Sequence, residues 1–287
     1  MPARKRPVVP RVAFVLGGGG HQGAYEVGML HALLERDIRP DLVVGTSIGG
    51  LNGAAIAASP TLDAVDRLRQ VWLSLDGESI FGGSLFSGAA TLVRSRTYLH
   101  SNRPLRAMLE ELLPAKFSDL VVPFQCVAAS IEKAAEHWFS DGPLVDAILA
   151  SAAVPGVLPP VRIDGEHFLD GGIVNSIPIS RAVELGAKEI YVLQVGRVER
   201  PLTPPRTPVQ VAVVAFEIAR RHRFARDLAA LPPGVTAHLL PTGEPVRPTR
   251  AHLSELNYRD FKAAARRIDR AYRASAAYLA SVLPERT

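Results

Sequence analysis

The chain has 287 residues, of which 47% are apolar and 21% charged, with a formal net charge of +5 and a pI near 9.6. This composition is globular rather than disordered, and the length suffices for one large α/β domain or two small ones. The basic balance would suit anionic membranes or nucleic acid, but basic residues are not interleaved with aromatic ones, so we expect no nucleic-acid partner. With neither a secretory signal nor about 18 consecutive apolar residues, we expect a cytoplasmic protein, with peripheral membrane contact left open.

The first 60 residues predict two strand-turn-helix units. Arg11–Leu16 is typical of a buried strand and leads directly into a glycine run, after which a helical pattern begins beyond Gly23. The short run Asp41–Val44 predicts a second strand, and the small residues of Gly49–Ala58 suit a tightly packed helix. This alternation is typical of a right-handed parallel α/β unit.

The pattern continues through the middle of the chain. The turn pair Asp164-Gly165 lies between alternating apolar runs, which predicts a hairpin of Val161–Ile163 with Glu166–Leu169. The glycine- and serine-rich stretch Asp76–Ser95 predicts a surface excursion. Further helices are predicted over Asp63–Leu75, Arg103–Leu113, Pro143–Ala153 and Ile179–Leu185, and further strands over Val121–Ile131 and Ile190–Val195.

Prolines mark the best candidate for a boundary in the chain, over Arg197–Pro208, and two helices are predicted beyond it at Val209–Leu231 and Tyr258–Leu283. We therefore divide the chain into a basic N-terminal extension (1–10), a main α/β domain (11–200) and a helical C-terminal part (201–287) packed on the same domain. The single cysteine, Cys126, lies in an apolar run and is predicted to be a buried small side chain.

A first motif with chemical content is Gly45-Thr46-Ser47-Ile48-Gly49, a G-x-S-x-G between a predicted strand and a predicted helix. A serine at such a sharp turn takes a strained backbone conformation, and flanking glycines leave room for the turn and for a substrate. The pattern therefore indicates Ser47 as a nucleophile. Read in isolation, it is equally typical of a helix-capping serine.

The second motif is a glycine-rich turn between the first strand and the first helix, comprising Gly18, Gly19, Gly20 and Gly23. Consecutive glycines free backbone N–H groups, which an acyl-transfer enzyme needs where a carbonyl oxygen becomes an oxyanion. The spacing also matches the dinucleotide-binding fingerprint, but that fingerprint expects an acidic residue after the second strand. Here the second strand leads into Ser47 instead, which disfavours the nucleotide-binding interpretation.

The third motif is Asp170-Gly171-Gly172 at the end of the predicted hairpin. An aspartate before two glycines has little steric cover and could accept a proton from a serine oxygen if the fold brings them together. By itself the motif is also typical of an ordinary turn.

Together, and in this order, the three motifs resemble those of the patatin-like phospholipases. The resemblance extends over roughly Val12–Val195 and implies a three-layer α/β/α fold with a mostly parallel central sheet, with 11–200 as the catalytic domain. It also implies a serine-dependent lipid acyl hydrolase of the phospholipase A, lysophospholipase or carboxylesterase type. Ser47 would be the nucleophile and Asp170 the base of a two-residue dyad, with backbone N–H groups of Gly18–Gly20 as the oxyanion hole. The segment Ala150–Pro160 resembles the one that precedes the family's hairpin, and we assign it no catalytic group.

One position departs from the family pattern. Family members usually carry arginine or lysine before the last glycine of the first motif, whereas this sequence has Gln22. Glutamine keeps hydrogen bonding but loses the charge, which puts a preference for anionic headgroups in doubt. The backbone donors are unaffected.

Three alternatives stay open. An α/β-hydrolase with a Ser-His-Asp triad could recruit His21, His238 or His252, although Ser47 comes earlier in the chain than that fold expects. A nucleotide-binding protein could use the glycine-rich turn, and an inactive relative could act as a scaffold. The histidines show no metal-ligand spacing, so we expect no metal and no cofactor. The expected partner is a lipid or acyl-ester substrate, and an arginine-rich helix end at Arg220–Arg226 could contact an anionic lipid surface.

Overall fold

The computed structural model describes residues 11–75, 98–195, 201–244 and 263–283. The predicted N-terminal extension (1–10) and the excursion Asp76–Ser95 lie outside these residues, as do part of the predicted linker and the start of the last helix. Across the described residues, no helix combines the length and apolar character needed to cross a bilayer.

Within the described residues, eight strands form one mixed sheet. They are β1 (Val12–Leu16), β2 (Leu42–Thr46), β3 (Phe124–Ser130), β4 (Ala135–Phe139), β5 (Val161–Ile163), β6 (Glu166–Asp170), β7 (Glu189–Leu193) and β8 (Thr236–Leu239). Five of them are parallel in the order β3-β2-β1-β7-β8, while β4 and β6 pair antiparallel with β3, and β5 pairs antiparallel with β6. The predicted hairpin is confirmed as β5–β6, with Asp164 and Gly165 both at positive φ in its turn.

Nine helices lie within the described residues, besides short 3₁₀ turns. They are α1 (Ala24–Glu35), α2 (Ile48–Ala58), α3 (Leu62–Ser74), α4 (Arg103–Leu112), α5 (Leu144–Ser151), α6 (Gly172–Asn175), α7 (Ile179–Glu184), α8 (Pro208–Ala229) and α9 (Ala264–Val282). Each predicted helix is present, and every predicted end that lies within the described residues is within two residues of the observed end. The short helix α6 and the strands β4 and β8 were not predicted.

The sheet lies between two helical layers. Successive side chains of a strand point to opposite faces, so each strand contributes to both of the cores that these layers cover. On one face, Phe14 and Leu16 belong to a large core with α1, α2, α3, α5 and α9. On the other, Ala13 and Val15 pack in a smaller core with α7 and with Phe224 of α8. The architecture is therefore the three-layer α/β/α arrangement with a mostly parallel sheet that the sequence predicts. Cys126 is buried in the larger core, as predicted, and burial raises the pKa of its thiol above the usual range.

The C-terminal helix α9 packs directly on α1. A Cβ atom at Gly28 of α1 would lie 2.1 Å from the Ile268 carbonyl oxygen of α9, so the two backbones touch. The Tyr272 hydroxyl donates to Glu35 at 2.8 Å, and its ring meets His31 edge to face. The division of the chain into domains stays a prediction.

Candidate active site

Ser47 occupies a sharp turn between β2 and α2. Its backbone lies at φ 54° and ψ −122°, a positive-φ conformation that non-glycine residues rarely adopt, so the turn is strained. Its N–H donates to the Ser151 hydroxyl at 2.8 Å, which helps to hold this conformation. The residue is only 7% exposed.

The glycines on either side of Ser47 are required by close packing. A Cβ atom at Gly45 would lie 2.5 Å from the Gly49 carbonyl oxygen, and one at Gly49 would lie 2.4 Å from the Leu16 carbonyl oxygen. Because these neighbours are backbone atoms, they cannot move aside as a side chain could. The turn that presents Ser47 therefore depends on glycine at both positions.

Asp170 is the last residue of β6. This strand pairs with β3, and β3 pairs with β2, the strand that leads into Ser47. Its carboxylate accepts two hydrogen bonds, from the Ser47 hydroxyl to Oδ2 at 2.6 Å and from the Gly172 N–H to Oδ1 at 2.7 Å. The following residue, Gly171, passes so close to β3 that a Cβ atom would lie 2.1 Å from the Val127 carbonyl oxygen. Sheet pairing thus brings together two residues 123 positions apart in the chain.

Burial sets the electrostatics of this pair. It raises the pKa of Asp170 from 3.8 to about 6, and the hydrogen bonds from Ser47 and Gly172 oppose that rise by favouring the charged form. A carboxylate with this pKa is ionised at neutral pH and is a better proton acceptor than one in water. The arrangement can therefore accept a proton from the Ser47 hydroxyl.

The glycine-rich turn lies beside Ser47, and its N–H groups differ in availability. A Cβ atom at Gly18 would lie 3.5 Å from the Ser47 Cβ atom. The Gly18 N–H, however, donates to the Ser176 carbonyl oxygen at 2.9 Å. Within the described residues, the N–H groups of Gly19 and Gly20 have no hydrogen-bond acceptor. Of the three consecutive glycines Gly18–Gly20, Gly19 and Gly20 are therefore the two whose N–H groups are available to a ligand.

An apolar pocket of about 680 Å³, part of it open to solvent, begins at Ser47 and Gly20. Helices α2, α3, α4 and α5 supply most of its wall. The apolar side chains that line it include Ile48, Leu51, Val71, Trp72, Leu105, Met108 and Ile148.

Of the three histidines considered as bases, His21 and His238 lie within the described residues and His252 lies outside them. The Ser47 hydroxyl meets the Asp170 carboxylate directly, with no imidazole between them. His238 is on β8, three strands away from β2 and hence about 14 Å distant across the sheet. His21 is buried in the glycine-rich turn, and His252 lies outside the described residues.

Several polar residues near the site were missed from the sequence. Ser151 lies in the segment Ala150–Pro160, to which no group was assigned, yet it accepts the Ser47 N–H. The Ser176 carbonyl oxygen accepts the Gly18 N–H, and the Asn175 carbonyl oxygen accepts the Thr46 hydroxyl at 2.8 Å. These partners are 104 to 158 residues apart in the chain, and no local pattern indicates such contacts.

Comparisons with known proteins show the family of the chain. The family model described as patatin-like phospholipase matches residues 14–183. A patatin-like phospholipase domain-containing protein of Caenorhabditis elegans is 34% identical over 201 residues, covering 66% of this chain and 14% of that protein. An uncharacterized NTE family protein of Mycobacterium bovis is 32% identical over 171 residues, covering 60% of this chain and 45% of that protein.

The chain thus spans less than half the length of these relatives. Among solved structures, VipD from Legionella pneumophila aligns with 96% of this chain and 67% of its own, at 16% identity and a TM-score of 0.46. The family match covers more than half of the chain and includes Ser47 and Asp170. This chain belongs to the patatin-like phospholipase family.

Proposed function

We propose that this chain is a serine-dependent lipid acyl hydrolase in which Ser47 is the nucleophile and Asp170 the base. The observation that carries the proposal is the direct 2.6 Å hydrogen bond between the two side chains, together with the apolar pocket that Ser47 lines. Membership of the patatin-like phospholipase family supports the same reaction class. The oxyanion donors in this proposal are the N–H groups of Gly19 and Gly20.

Acylation begins when the Ser47 oxygen attacks the carbonyl carbon of an ester. The hydroxyl proton passes to Oδ2 of Asp170, and the carbonyl oxygen becomes an oxyanion beside the glycine-rich turn. As the tetrahedral intermediate collapses, the bond to the leaving alcohol breaks and the alcohol oxygen takes the proton from Asp170. The products of this half-reaction are the free alcohol and an ester on Ser47.

Deacylation repeats the sequence with water. Asp170 takes a proton from a water molecule as the water oxygen attacks the acyl carbon. The bond to Ser47 then breaks, and the proton returns from Asp170 to the serine oxygen. The net reaction consumes one water and gives one fatty acid and one alcohol. Because the Gly172 N–H holds Oδ1, Oδ2 stays directed at Ser47 through both halves.

The pocket supports an acyl chain as the part of the substrate next to the ester. Apolar side chains such as Leu51, Trp72 and Ile148 form its wall, and they offer favourable burial to an alkyl chain. The proposal therefore places the acyl chain among α2, α3, α4 and α5.

The test is turnover of chromogenic esters and covalent labelling with a fluorophosphonate. Wild-type protein should hydrolyse the esters and be labelled, whereas Ser47→Ala should do neither while keeping its circular dichroism spectrum. Ser59→Ala is the matched control, because Ser59 is the residue after the far end of α2. Equal turnover by Ser47→Ala and wild type would refute the serine assignment. A nucleotide-binding protein or an inactive scaffold would show neither turnover nor labelling.

A further inference from the structure

A buried polar cluster lies beneath the glycine-rich turn. At its centre is Asn52 on α2, five residues after Ser47 and without any solvent exposure. The amide nitrogen of Asn52 donates to the Gly23 carbonyl oxygen at 3.0 Å and to Oε2 of Glu26 at 2.7 Å. Its amide oxygen accepts the Trp72 indole N–H at 3.0 Å. One side chain thus connects α2 with the turn, with α1 and with α3.

The hydrogen-bond partners leave only one orientation for the Asn52 amide. An indole N–H can only donate and a backbone carbonyl can only accept, so the amide oxygen must face Trp72 and the nitrogen must face Gly23. Leucine or aspartate at this position could not satisfy both. Only a primary amide suits this set of partners.

The groups joined by Asn52 belong to two parts of the site proposed above. Gly23 is the last glycine of the turn that carries Gly19 and Gly20. A Cβ atom at Gly23 would lie 2.6 Å from Ile48 and 2.9 Å from the Trp72 ring. Both of these side chains line the apolar pocket. The turn and the pocket wall are therefore in direct contact, and Asn52 fixes both from the helix that follows Ser47.

Glu26 is the fourth member of the cluster and is completely buried. Burial raises the pKa of its carboxyl well above the ordinary value, and the hydrogen bond from Asn52 opposes the rise. A carboxyl buried to this extent is costly, and a purely structural position could avoid that cost with an apolar residue. Its Oε2 atom accepts the second N–H of Asn52 and so satisfies that donor.

We propose that Asn52 is a positioning residue for acyl transfer, which holds the oxyanion donors of the glycine-rich turn and the Trp72 wall of the acyl pocket in one geometry with Ser47. This inference rests on the proposed function. It explains why a buried amide and a buried carboxyl occupy a place that leucine and methionine could fill. Changes at Asn52 should accordingly alter both turnover and acyl-chain preference.

The experiment compares kcat and KM for a short and a long ester, per active site titrated with a fluorophosphonate. Asn52→Leu should lower kcat for the short ester at least tenfold and should also change the ratio of kcat/KM between long and short esters. Trp72→Phe keeps an aromatic wall but removes the N–H, so it should change the long-to-short ratio with a smaller loss of kcat. Glu26→Leu should lower kcat for the short ester, and Glu26→Gln should restore it, because glutamine keeps an acceptor for Asn52.

Ser275→Ala is the matched control for stability. Ser275 is fully buried on α9 and donates to the Pro241 carbonyl oxygen, away from the pocket. Its loss should lower the melting temperature without changing the chain-length ratio. If Asn52→Leu behaves as Ser275→Ala does, with wild-type kcat per titrated site and an unchanged ratio, Asn52 is structural only and the inference is wrong. If Asn52→Leu does not fold, an unchanged ratio in Trp72→Phe overturns the inference in its place.

Failure of the proposed function has a different signature. In that case wild-type protein is neither labelled nor active, or Ser47→Ala is as active as wild type, and the inference about Asn52 fails with it. If wild-type protein is active and labelled, but neither Asn52→Leu nor Trp72→Phe changes kcat or the long-to-short ratio, only the positioning role is overturned.

Discussion

At the residue scale, Asp170 combines burial with a negative charge that has no cationic partner among its hydrogen bonds. Its carboxylate relies on the Ser47 hydroxyl and the Gly172 N–H, and the pKa is nevertheless raised to about 6. An acid whose pKa rises on folding destabilises the folded state once the pH exceeds the pKa of the unfolded chain. The resulting loss in the free energy of unfolding begins near pH 3.8, grows until about pH 6 and stays constant above that pH.

Asp170→Asn should therefore abolish activity and yet stabilise the protein at neutral pH. Asparagine carries no charge at any pH, so its advantage should be absent below pH 3.8 and reach about 3 kcal/mol by pH 7, from about 1.4 kcal/mol per pKa unit. Urea denaturation of both proteins at pH 4 and pH 7.5 measures the difference. Ser47→Ala, which leaves the aspartate ionisable, serves as the reference. A pH-independent difference between Asp170→Asn and wild type would contradict the raised pKa.

The raised pKa of Asp170 determines which experiment can distinguish a Ser-Asp dyad from a Ser-His-Asp triad. A carboxylate base would ordinarily give an activity limb well below that of an imidazole, but a pKa of about 6 is close to the ordinary histidine value of about 6.5. The pH profile of activity should therefore show one limb near pH 6 with either base. Only substitution distinguishes the two mechanisms.

Single His→Ala substitutions at all eight histidines should leave substantial activity, with His21→Ala the one partial loss because it disturbs the glycine-rich turn. Asp170→Asn should fall to the level of Ser47→Ala. In a triad the histidine carries the proton, and its removal costs several orders of magnitude in kcat. Initial rates on a short ester, with circular dichroism as the folding control, decide the matter. One folded histidine variant as inactive as Ser47→Ala would overturn the dyad.

The sequence made Ser47 and Asp170 candidates because their glycine motifs together resemble those of one family, and the structure shows that Gly45, Gly49 and Gly171 make close backbone contacts. Asn52, Ser151 and Ser176 offered no comparable signal. Their roles come from partners on other elements, 20 to 158 residues away in the chain, which they meet only when those elements pack together. A buried polar side chain in an apolar helix such as α2 was the one available clue, and by itself it indicates only that a partner must exist.

At the scale of elements, strands buried on both faces could be predicted, and so could the hairpin β5–β6 from its Asp-Gly turn, but the half-exposed strands β4 and β8 could not. β1, β2 and β7 are continuous apolar runs, which is the pattern of a parallel sheet covered on both sides. β4 and β8 contain more polar residues and lie half exposed. Their pairing with β3 and β7 supplies the stabilisation that their own sequence does not indicate.

Helix α8 shows how a charge pattern can be read in two ways. Its arginines could face an anionic lipid surface, a hypothesis that stays a prediction. In the structure, however, Arg220 and Arg221 both pair with Glu217, and Arg223 pairs with Asp227. The Arg220 side chain is only 7% exposed. At least this arginine has an internal structural role, because one face of α8 belongs to the smaller core through Phe224.

Arg220→Met should lower the free energy of unfolding by about 3 kcal/mol, since it leaves Glu217 partly buried with a weaker set of partners. Arg226→Met on the exposed side of the same helix is the matched control and should change stability by less than about 0.5 kcal/mol. The double variant Glu217→Gln, Arg220→Met should recover part of the loss. Equal effects of Arg220→Met and Arg226→Met would show that the ion pair contributes nothing.

At the scale of the whole molecule, the glycine-rich turn depends on a helix far outside the matched family region. The family model ends at residue 183, whereas α9 spans Ala264–Val282. This helix covers α1, whose N-terminus continues from the turn, and the contact is backbone to backbone at Gly28. The position of the turn therefore depends on the fit of α9 against α1.

Gly28→Ala should destabilise the protein, although alanine favours a helix by about 1 kcal/mol over glycine. The added methyl would lie 2.1 Å from the Ile268 carbonyl oxygen and 2.7 Å from the Tyr272 nitrogen, and neither atom can move without shifting α9. Overpacking of this kind costs about 1–3 kcal/mol, which outweighs the gain in helix propensity.

Gly50→Ala gives the matched comparison, because Gly50 is also within a helix but its added methyl would meet only ordinary contacts at 3.6 Å. Thermal denaturation should place the melting temperature of Gly28→Ala below that of wild type and that of Gly50→Ala at or above it. The initial rate on a short ester should fall in Gly28→Ala, because the glycine-rich turn shifts with α1. If Gly28→Ala is as stable as Gly50→Ala, α9 does not pack closely against α1 at Gly28. That result would contradict the dependence of the glycine-rich turn on the C-terminal helix.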